Sequence, residues 1–518
     1  MQFRYYKEKL NYKSKNENKL DDKEEESVFF KQKYIEEEFE TLYDNYVTSL
    51  INSNNNQSLI SLSLLFQEIG RFQYLKYNYF EAHTFLKKAI SLYDEANETT
   101  EQNKNFDKLL TLYAVNLQNL GYIEESEFTL RRALKSSIIY NSYKSLNTVE
   151  SLVEYSFFYN FIEENKEAYV HLNKANKIIN KVVKGSKWDK ASVFDRFSGF
   201  RKNDNIIQLD INLNKFILFY VKVNYCQVLS SGQGGLKKYT VTKVDCDNIL
   251  KDLGISQQDS INVVIEKLKT LIEVGENKDY SNIQYKSRIE KIKYDFIKSV
   301  SNYFSLKAYI CQKDGNIKKS EILYKNSLDI ILKIYGENDK HLTNIYSNLL
   351  SFYYQSNDDK NIKLYIEKII SLSKHLYGEI HIEYALNLMQ IVKTIITYHY
   401  TDYTLNLLKQ AELIMNARLQ NLKDNENEKD DFISTHIYTA EINYLYGYLY
   451  GSIVNTSNTK EPVTTLDKSM NYLTNAITIY KNILGTTSES YFKAYSLKLD
   501  ILENERLKKA KKEAHNQK

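Results

Sequence analysis

The sequence predicts an all-α protein built of repeated helix pairs, and three observations lead to that fold class. The chain is 518 residues long, too long for one ordinary core, and one helical pattern returns along it at a nearly fixed interval. It has only 15 glycines and one proline, whereas folds rich in strands need many such turn residues. Hydrophobic residues make up 42% of the chain, which is enough to build a packed interior.

The repeat is plainest in two stretches of the second half. Residues 314–341 read DGNIKKSEILYKNSLDIILKIYGENDKH, and residues 358–381 read DDKNIKLYIEKIISLSKHLYGEIH. Aligned positions such as Ser320 and Ile362 are 42 residues apart. A fixed period of this length is typical of solenoids, in which each unit buries the apolar face of its neighbour.

A packing pattern defines each unit: two small residues seven positions apart, with a bulky residue four places after the first. All three lie on one helix face, and the small residues let two helices approach closely. Successive patterns are 44 and 42 residues apart in the first block and 42 and 42 in the second. Seven segments fit, some with an enlarged small residue: Ala82/Leu86/Ala89, Ser126/Leu130/Ala133, Ala168/Leu172/Ala175, Ser320/Tyr324/Ser327, Ile362/Ile366/Ile369, Thr404/Leu408/Ala411 and Ser469/Leu473/Ala476.

A second helical segment precedes each of these patterns. Phe66, Ile69 and Gly70 lie 16, 13 and 12 residues before Ala82, and the same offsets give apolar residues in later units. Gly70 is assigned a packing role with the small residues. Turn residues separate the two segments, because Gly, Asn and Asp end one helix and cap the next. They are Leu120-Gly121, Asp314-Gly315-Asn316 and Asn357-Asp358-Asp359.

These residues resemble the tetratricopeptide repeat, and the 42-residue period resembles the type found in kinesin light chains. That type reads L-G-x-x-H-P-x-x-A and then N-L-A-x-x-Y; Lys340 and Ile382 stand in the place of its proline. The resemblance covers about 60–200 and 295–485 and implies a right-handed superhelix of helix-turn-helix units that binds proteins. The matching residues are Gly336, Glu337, Asn348, Leu349 and Tyr353 in one unit and Gly378, His381 and Ala385 in the next.

The chain divides into five predicted segments. A tail at 1–30, expected to be disordered, precedes a first array of repeats at 31–185. Residues 186–300 are predicted to hold a degenerate helix pair with an insertion loop, in which 216–229 reads as a buried helix or a strand and 230–248 as a loop or hairpin. A second array follows at 301–500. Residues 501–518 are predicted to form a basic helical cap or tail, polar on its outer face.

The resemblance also indicates which residues bind a partner. In this family the first helix of each unit lines the concave face, and its side chains there are free of the core. The candidates mix aromatic, amide and basic groups, which suits an extended peptide or a helix. They are Gln67, Arg71, Tyr74, Phe157, Asn160, Tyr309, Gln312, Lys313, Asn348, Ser351, Tyr354, Gln390 and Lys393. The Lys and Asn pairs that hold chaperone tails in related domains do not assemble at these positions.

No enzyme motif is found, so we expect a non-catalytic protein without a cofactor, metal or small-molecule substrate. Ser231–Gly235 lacks the spacing of a phosphate loop and is interpreted as a flexible loop. His375 and His381 are six residues apart, whereas helical metal ligands stand three or four apart. Three dispersed cysteines indicate a reducing compartment. An enzyme with its active site in 195–300 is the least favoured alternative.

Charge and targeting signals leave two leading hypotheses. The net charge of +4 is nearly neutral for this length, and acidic residues interrupt the basic C-terminus, so nucleic acid is disfavoured. No secretory signal or membrane span is evident, so a cytoplasmic location is expected, and the basic aromatic start leaves a mitochondrial one open. The first hypothesis is a scaffold or adaptor that binds a protein in its groove. The alternative is an obligate structural subunit of a motor, ciliary or mitochondrial complex.

Overall fold

The computed structural model describes most of the chain in nine ranges. These are 56–76, 78–96, 106–185, 204–230, 236–273, 283–396, 402–426, 432–455 and 462–516. The predicted tail at 1–30 and the loop Ser231–Gly235 lie outside the described residues. The described residues divide into two compact units: the first lies within 1–70 and 85–99, and the second within 71–84 and 100–518.

The described residues form an all-α fold, as the sequence predicts, and contain no strand. Nineteen helices are described, in chain order: α1 Asn56–Leu75, α2 Tyr79–Glu95, α3 Phe106–Leu120, α4 Ile123–Asn141, α5 Leu146–Phe161, α6 Asn165–Gly185, α7 Asp204–Ser230, α8 Leu236–Asp252, α9 Ile261–Glu273, α10 Ile283–Lys313, α11 Ile317–Tyr335, α12 His341–Gln355, α13 Asp359–Tyr377, α14 Ile382–Ile395, α15 Asp402–Glu426, α16 Phe432–Thr435, α17 Ile437–Asn455, α18 Pro462–Leu484 and α19 Glu489–Asn516.

The seven packing patterns lie on the second helices of successive pairs: α2, α4, α6, α11, α13, α15 and α18. Every residue of the patterns is buried. Where the first small residue is serine, its hydroxyl also donates a hydrogen bond to a carbonyl of the first helix. The oxygen atoms are 2.8 Å apart for Ser126 and Ala114, 2.8 Å for Ser320 and Ala308, and 2.7 Å for Ser469 and Gly447. The small residue therefore allows a close approach and satisfies a polar group there.

Two glycines mark the closest approach within a pair. A Cβ atom at Gly70 would lie 2.7 Å from the side chain of Leu86, and one at Gly447 would lie 2.6 Å from Leu473. Both leucines are the bulky middle residues of their packing patterns. Replacing either glycine would force the two helices apart, since real side chains do not approach so closely.

The predicted turn residues occupy the turns and cap the helices that follow. Gly121 and Gly315 have φ angles of +81° and +79°, a region that glycine enters without strain. The side chain of Asn316 accepts a hydrogen bond from the Lys319 amide, and that of Asp358 accepts one from the Asn361 amide. These contacts satisfy amides that the first turn of a helix leaves without a partner.

The middle of the chain differs from its expected loop or hairpin. Residues 236–252 form helix α8, which packs on α7. Buried residues stand three or four positions apart along it, at Thr242, Cys246 and Ile249, and buried Leu253 follows its end. This helical period outweighs the β-branched residues that favoured an extended structure. The stretch 216–229 lies in α7 and is largely buried because α6, α8 and α10 surround it, with the Lys222 ammonium paired to Asp245.

Two predicted boundaries fall inside continuous helices. The boundary at 300/301 lies within α10. This helix begins before the repeat because its first half packs on α7. The rings of Phe216 and Phe296 stack there with centroids 4.0 Å apart. The boundary at 500/501 lies within α19. Phe492, Tyr495 and Leu499, which lie in α19 before that boundary, are exposed.

Three contacts within the second unit join turns of the first block to helix starts of the second. The Tyr79 hydroxyl donates to Glu383, the Leu120 carbonyl accepts from His436, and Glu163 accepts from Ser490. The partners are 304, 316 and 327 residues apart in sequence. We call these the distant contacts. From one contact to the next, both partners advance by one repeat. Within the second unit, the repeats of the first block therefore lie beside those of the second block in register.

Candidate functional site

Charged side chains from four separate parts of the chain share one surface of the second unit. Glu154 lies in α5, Asp295 and Lys298 lie in α10, Lys340 precedes α12, and Glu383 lies in α14. Each of them interacts electrostatically with at least one other member of the group. We call these five residues the inner charged surface. Glu154, Lys340 and Glu383 come from three different repeats, whereas Asp295 and Lys298 both lie in α10.

The inner charged surface is reached by water although protein surrounds it. Asp295 and Glu383 are half-buried and Lys340 is exposed. Burial nevertheless raises the pKa of the Glu154, Asp295 and Glu383 carboxyls. It lowers the pKa of the Lys340 ammonium, and the neighbouring charge of Lys298 lowers it further. These groups are therefore partly desolvated although they contact water.

The first distant contact forms one end of the inner charged surface. The Tyr79 hydroxyl donates to Glu383 Oε1 over 2.6 Å, and the Tyr79 ring lies beside His381, with centroids 6.2 Å apart. Burial and the Glu383 charge raise the pKa of Tyr79 above its usual range. The phenol therefore stays neutral and donates to the carboxylate. The contact fixes the start of α14 against the turn before α2.

A buried histidine lies beside the two lysines of this surface. His341 is the first residue of α12 and is 3% exposed. Within the part of the chain that the structure describes, neither of its ring nitrogens has a hydrogen-bond partner. Burial, together with Lys298 and Lys340, lowers the pKa of His341 to about 3, so the ring is neutral at physiological pH.

Of the groove residues predicted in the first block, the two in α5 differ in solvent exposure. Asn160 is exposed. Phe157 is half-buried and its ring meets that of Tyr220 edge-on, with centroids 6.2 Å apart. In the second unit Arg71 and Tyr74 are half-buried, and the Tyr74 ring lies 5.7 Å from that of Tyr79. Gln67, in the first unit, is also half-buried.

In the second block the predicted residues at the end of α10 form a small polar cluster. Tyr309 is 42% exposed, and the Lys313 ammonium lies 5.4 Å from the centre of its ring. The side-chain amide nitrogen of Gln312 donates a hydrogen bond to the side-chain oxygen of Gln355 over 2.9 Å. This contact joins α10 to the end of α12. Asn348 and Gln390 are exposed, and Ser351 and Tyr354 are half-buried.

Lys393 takes part in a second charged group, where the two blocks meet. Its ammonium forms an ion pair with Glu441 of α17. Burial lowers the pKa of Lys393 to about 8, and Glu163 opposes this shift by attraction. Glu163 itself accepts hydrogen bonds from the Ser490 amide at 2.5 Å and from the Ser490 hydroxyl at 2.8 Å. Lys393 is thus part of a contact between repeats as well as a predicted groove residue.

The small residues that end the packing patterns, predicted from their spacing to pack between helices, are buried. The Ala89 carbonyl accepts a hydrogen bond from the Ser63 hydroxyl over 2.7 Å, and the Ser327 hydroxyl lies 2.8 Å from that of Ser301. These residues therefore belong to the interior of the repeats and not to the predicted groove. The residues concerned are each 0% exposed: Ala89, Ala175, Ser327 and Ala476.

None of the five residues of the inner charged surface was predicted as a site residue. Glu154 and Glu383 carried no signal beyond their place on first helices, and Asp295 and Lys298 lay outside the predicted second array at 301–500. One pattern was available: Lys291, Asp295 and Lys298 are spaced four and three apart, which puts them on one face of a helix. If one continuous helix had been predicted over 283–313, these three residues would have been recognised as one charged face of it.

The described residues offer no other chemical centre. They contain no group of three or more His, Cys, Asp or Glu side chains placed to hold a metal ion. Cys226 and Cys246 are buried free thiols, and burial and the adjacent Cys226 raise the pKa of Cys246. Of the helices in the described ranges, none has both the length and the hydropathy needed to cross a bilayer.

Comparisons with known proteins add little to this geometry. No protein-family model and no curated protein sequence matches the chain. Among solved structures, a match is found to a circular tandem repeat protein described as having a novel repeat topology and enhanced subunit contact surfaces. The match covers 89% of this chain and 100% of that one, at 12% identity and a TM-score of 0.21. A likeness of that size carries no argument about fold or function.

Proposed function

We propose that this protein is a non-catalytic scaffold or adaptor of the tetratricopeptide type, resembling the kinesin-light-chain repeats. Its concave face would hold a peptide or helix of a partner protein. The observation that carries the proposal is the inner charged surface, whose five members reach water although protein surrounds them. A chain that only stacked its own repeats would have no need to keep these charges desolvated.

The charges of this surface favour a protein ligand over nucleic acid. Glu154, Asp295 and Glu383 lie with Lys298 and Lys340, so the surface carries both signs of charge. A phosphate backbone needs a surface of predominantly positive charge. A peptide with both acidic and basic side chains matches this mixture, and the exposed side-chain amides of Asn348 and Gln390 can hydrogen-bond a peptide backbone.

The proposal is tested by affinity purification of the tagged full-length chain from its native cells, with mass spectrometry and size exclusion. One variant combines Lys298→Gln with Lys340→Gln, and a second combines Tyr309→Ala with Asn348→Ala. The control is Lys409→Gln, which removes an exposed charge from α15. We expect a discrete partner to be retained by the wild type and the control and depleted at least fivefold in one or both test variants.

Two results would contradict the proposal. The first is the same set of partners, at unchanged ratios, for all four proteins when their melting temperatures agree. The second is turnover of a small molecule by the purified chain. If the lone chain is insoluble and is recovered only within one stoichiometric complex, the obligate structural subunit is the correct interpretation.

A further inference from the structure

Three helices of the second block begin in the same register. Gly336, Gly378 and Gly485 precede α12, α14 and α19, and their φ angles are +86°, +82° and +79°. Positions 7, 10, 14 and 17 after each glycine lie on one face of the helix that follows, because they are three or four residues apart. The same four positions can therefore be compared in all three helices.

In α12 and α14 this face is buried. The residues at the four positions are Thr343, Tyr346, Leu350 and Tyr353 in α12, and Ala385, Leu388, Val392 and Ile395 in α14. In α19 the same face is open to water. Phe492, Tyr495 and Leu499 are 55%, 44% and 49% exposed, and Leu502 is half-buried. We call these four α19 residues the open stripe.

The second helix of the same pair covers this face in the earlier repeats. In α12, the rings of Tyr346 and Tyr353 pack on Tyr365 of α13, with centroids 5.8 and 5.6 Å apart. In α14, the helix packs in the same way on α15. The open stripe thus corresponds to a surface that each earlier repeat fills with an antiparallel helix.

The opposite face of α19 is firmly packed, so the helix is well placed to present the stripe. Ala494 and Ile501 are buried against α17 and α18. Ile501 lies so close to Gly451 that a Cβ atom there would overlap it. Ser490, in the first turn, binds Glu163 through both its amide and its hydroxyl. The open stripe is therefore a rigid surface rather than a frayed end.

We propose that the open stripe binds an amphipathic helix of a partner protein, packed antiparallel to α19 as the second helix of the last repeat. The partner helix carries two small residues seven apart with a bulky apolar residue four after the first, as in the second helices of this chain. Arg506 is exposed and lies in line with the stripe near the end of α19. An acidic residue in the first turn of the partner helix would face it.

This surface is separate from the inner charged surface, so the inference goes beyond the proposed groove function. Substitutions in the groove should leave binding at the open stripe unchanged, and the reverse should hold. Failure of one proposal is therefore distinguishable from failure of the other.

The chain itself supplies a probe with the required chemistry. Residues 122–141 include α4, with Ser126, Leu130 and Ala133 in the packing pattern and Glu124 and Glu125 in the first turn. A fluorescent peptide of this sequence carries Arg131→Glu, and a lactam between that glutamate and Lys135 holds it helical. Both positions are exposed in α4, so the lactam leaves the packing face unchanged. Fluorescence anisotropy with the full-length chain measures its binding.

We expect saturable binding that Leu499→Asp weakens at least tenfold and Arg506→Glu weakens about threefold. Leu413→Asp is the matched control, because Leu413 is 72% exposed on α15 and lies outside the stripe. A peptide carrying Leu130→Asp should not bind. Circular dichroism of each chain variant establishes that it is folded, which is expected since the altered residues are exposed.

Two outcomes would overturn the proposal. One is no saturable binding, or binding that Leu499→Asp and Leu413→Asp leave equal. The other is a concentration-dependent dimer in sedimentation velocity that Leu499→Asp disperses, because a second copy of this chain would then occupy the stripe.

Discussion

Two kinds of contact occur in the second unit, local contacts within a helix pair and the distant contacts, and they differ in sequence separation and in how regularly they recur. In the local contacts the Ser126 hydroxyl donates to the Ala114 carbonyl and the Ser320 hydroxyl to the Ala308 carbonyl, each pair 12 residues apart and beside the buried residues of a packing pattern. The distant contacts join residues 304 to 327 apart, and every one is a hydrogen bond between polar groups. The local contacts are repeated along the sequence, whereas each distant contact uses different residues.

The difference teaches which contacts a repeat sequence must preserve. A local contact serves the core of every repeat, so its small residues recur at a fixed spacing. A distant contact requires only that two turns meet with matching polar groups, and Tyr–Glu, His–carbonyl and Glu–Ser pairs all meet that need. We therefore expect a charged or bulky substitution at a small residue of a local contact to lower stability more than a substitution at a distant contact.

The largest effect is expected for a charge placed in a local contact. Ala411 in α15 is 0% exposed, and Ala411→Arg would drive a long cation between α14 and α15. We expect a loss of at least about 4 kcal/mol in the free energy of unfolding. Ala417→Arg is the control, since Ala417 is exposed on the same helix. Equal denaturation midpoints for the two variants would show that the register of this repeat is wrong.

The second largest effect concerns pH and the distant contact at His436. Its Nε2 donates to the Leu120 carbonyl over 2.8 Å, and its Nδ1 accepts from the Tyr438 amide, so the ring is neutral in the fold. Burial lowers the pKa of His436 from 6.5 to about 4. The unfolded chain therefore binds the proton more tightly, and stability falls as pH falls from 6.5 towards 4.

We expect His436 to account for a loss of about 2 kcal/mol in unfolding free energy between pH 6.5 and pH 4.5. His436→Gln removes this titration and retains a donor for the Leu120 carbonyl. The measurement is urea denaturation of both proteins at several pH values. His341 titrates alike in the two proteins and cancels in the difference. Parallel pH profiles would contradict the assignment of a neutral, buried His436.

A smaller effect is expected at Gly121, which lies directly against His436. Gly121 has a φ angle of +81°, and an added Cβ atom would overlap the His436 ring. Gly315 has nearly the same backbone angle, +79°, with nothing within 4 Å of such an atom. Both alanine variants carry the backbone strain, of about 1 kcal/mol. Only Gly121→Ala should lose about 1.5 kcal/mol more through the overlap, so the two variants differ by less than the pH effect at His436. Equal thermal stabilities of the two variants would indicate that this distant contact is loose.

The same division explains what the sequence could and could not predict. The packing patterns, the helix pairs and the turns at Gly121, Gly315 and Asp358 follow from local spacing and residue type, and the structure has them where they were expected. Helix α8 was missed because Thr240, Val241 and Val244 favour an extended chain when the partner surface on α7 is unknown.

The inner charged surface was beyond prediction for a different reason. It requires α5, α10 and α14 to meet, and their separation in sequence leaves no periodic signal that links Glu154 to Asp295 or Tyr79 to Glu383. The chain contains 45 tyrosines, and several of them have a structural role. Tyr353 and Tyr446 donate to Glu321 and Glu412 of the preceding repeat, and Tyr480 donates to Glu441 within the pair of α17 and α18.

The smallest effect compares one tyrosine–glutamate bond of each kind. Tyr79 and Tyr353 are each 4% exposed, and their hydroxyls donate to Glu383 over 2.6 Å and to Glu321 over 2.8 Å. Glu321 also accepts from Lys325 at 2.7 Å, and these two bonds lower its pKa, whereas burial raises the pKa of Glu383. Removing the phenol should therefore cost more at Glu383, where the carboxylate is the more poorly solvated of the two.

We expect Tyr79→Phe to lose about 1.5 kcal/mol and Tyr353→Phe about 0.5 kcal/mol, measured by urea denaturation at pH 7. The pH dependence gives a second readout. Because the Tyr79 hydroxyl favours the ionised form of Glu383, its loss should raise the pKa of that carboxyl further, and Tyr79→Phe should weaken the protein less at pH 5 than at pH 7. If Tyr353→Phe lowers the free energy of unfolding more than Tyr79→Phe, the bond between neighbouring repeats contributes more to stability than the distant contact does.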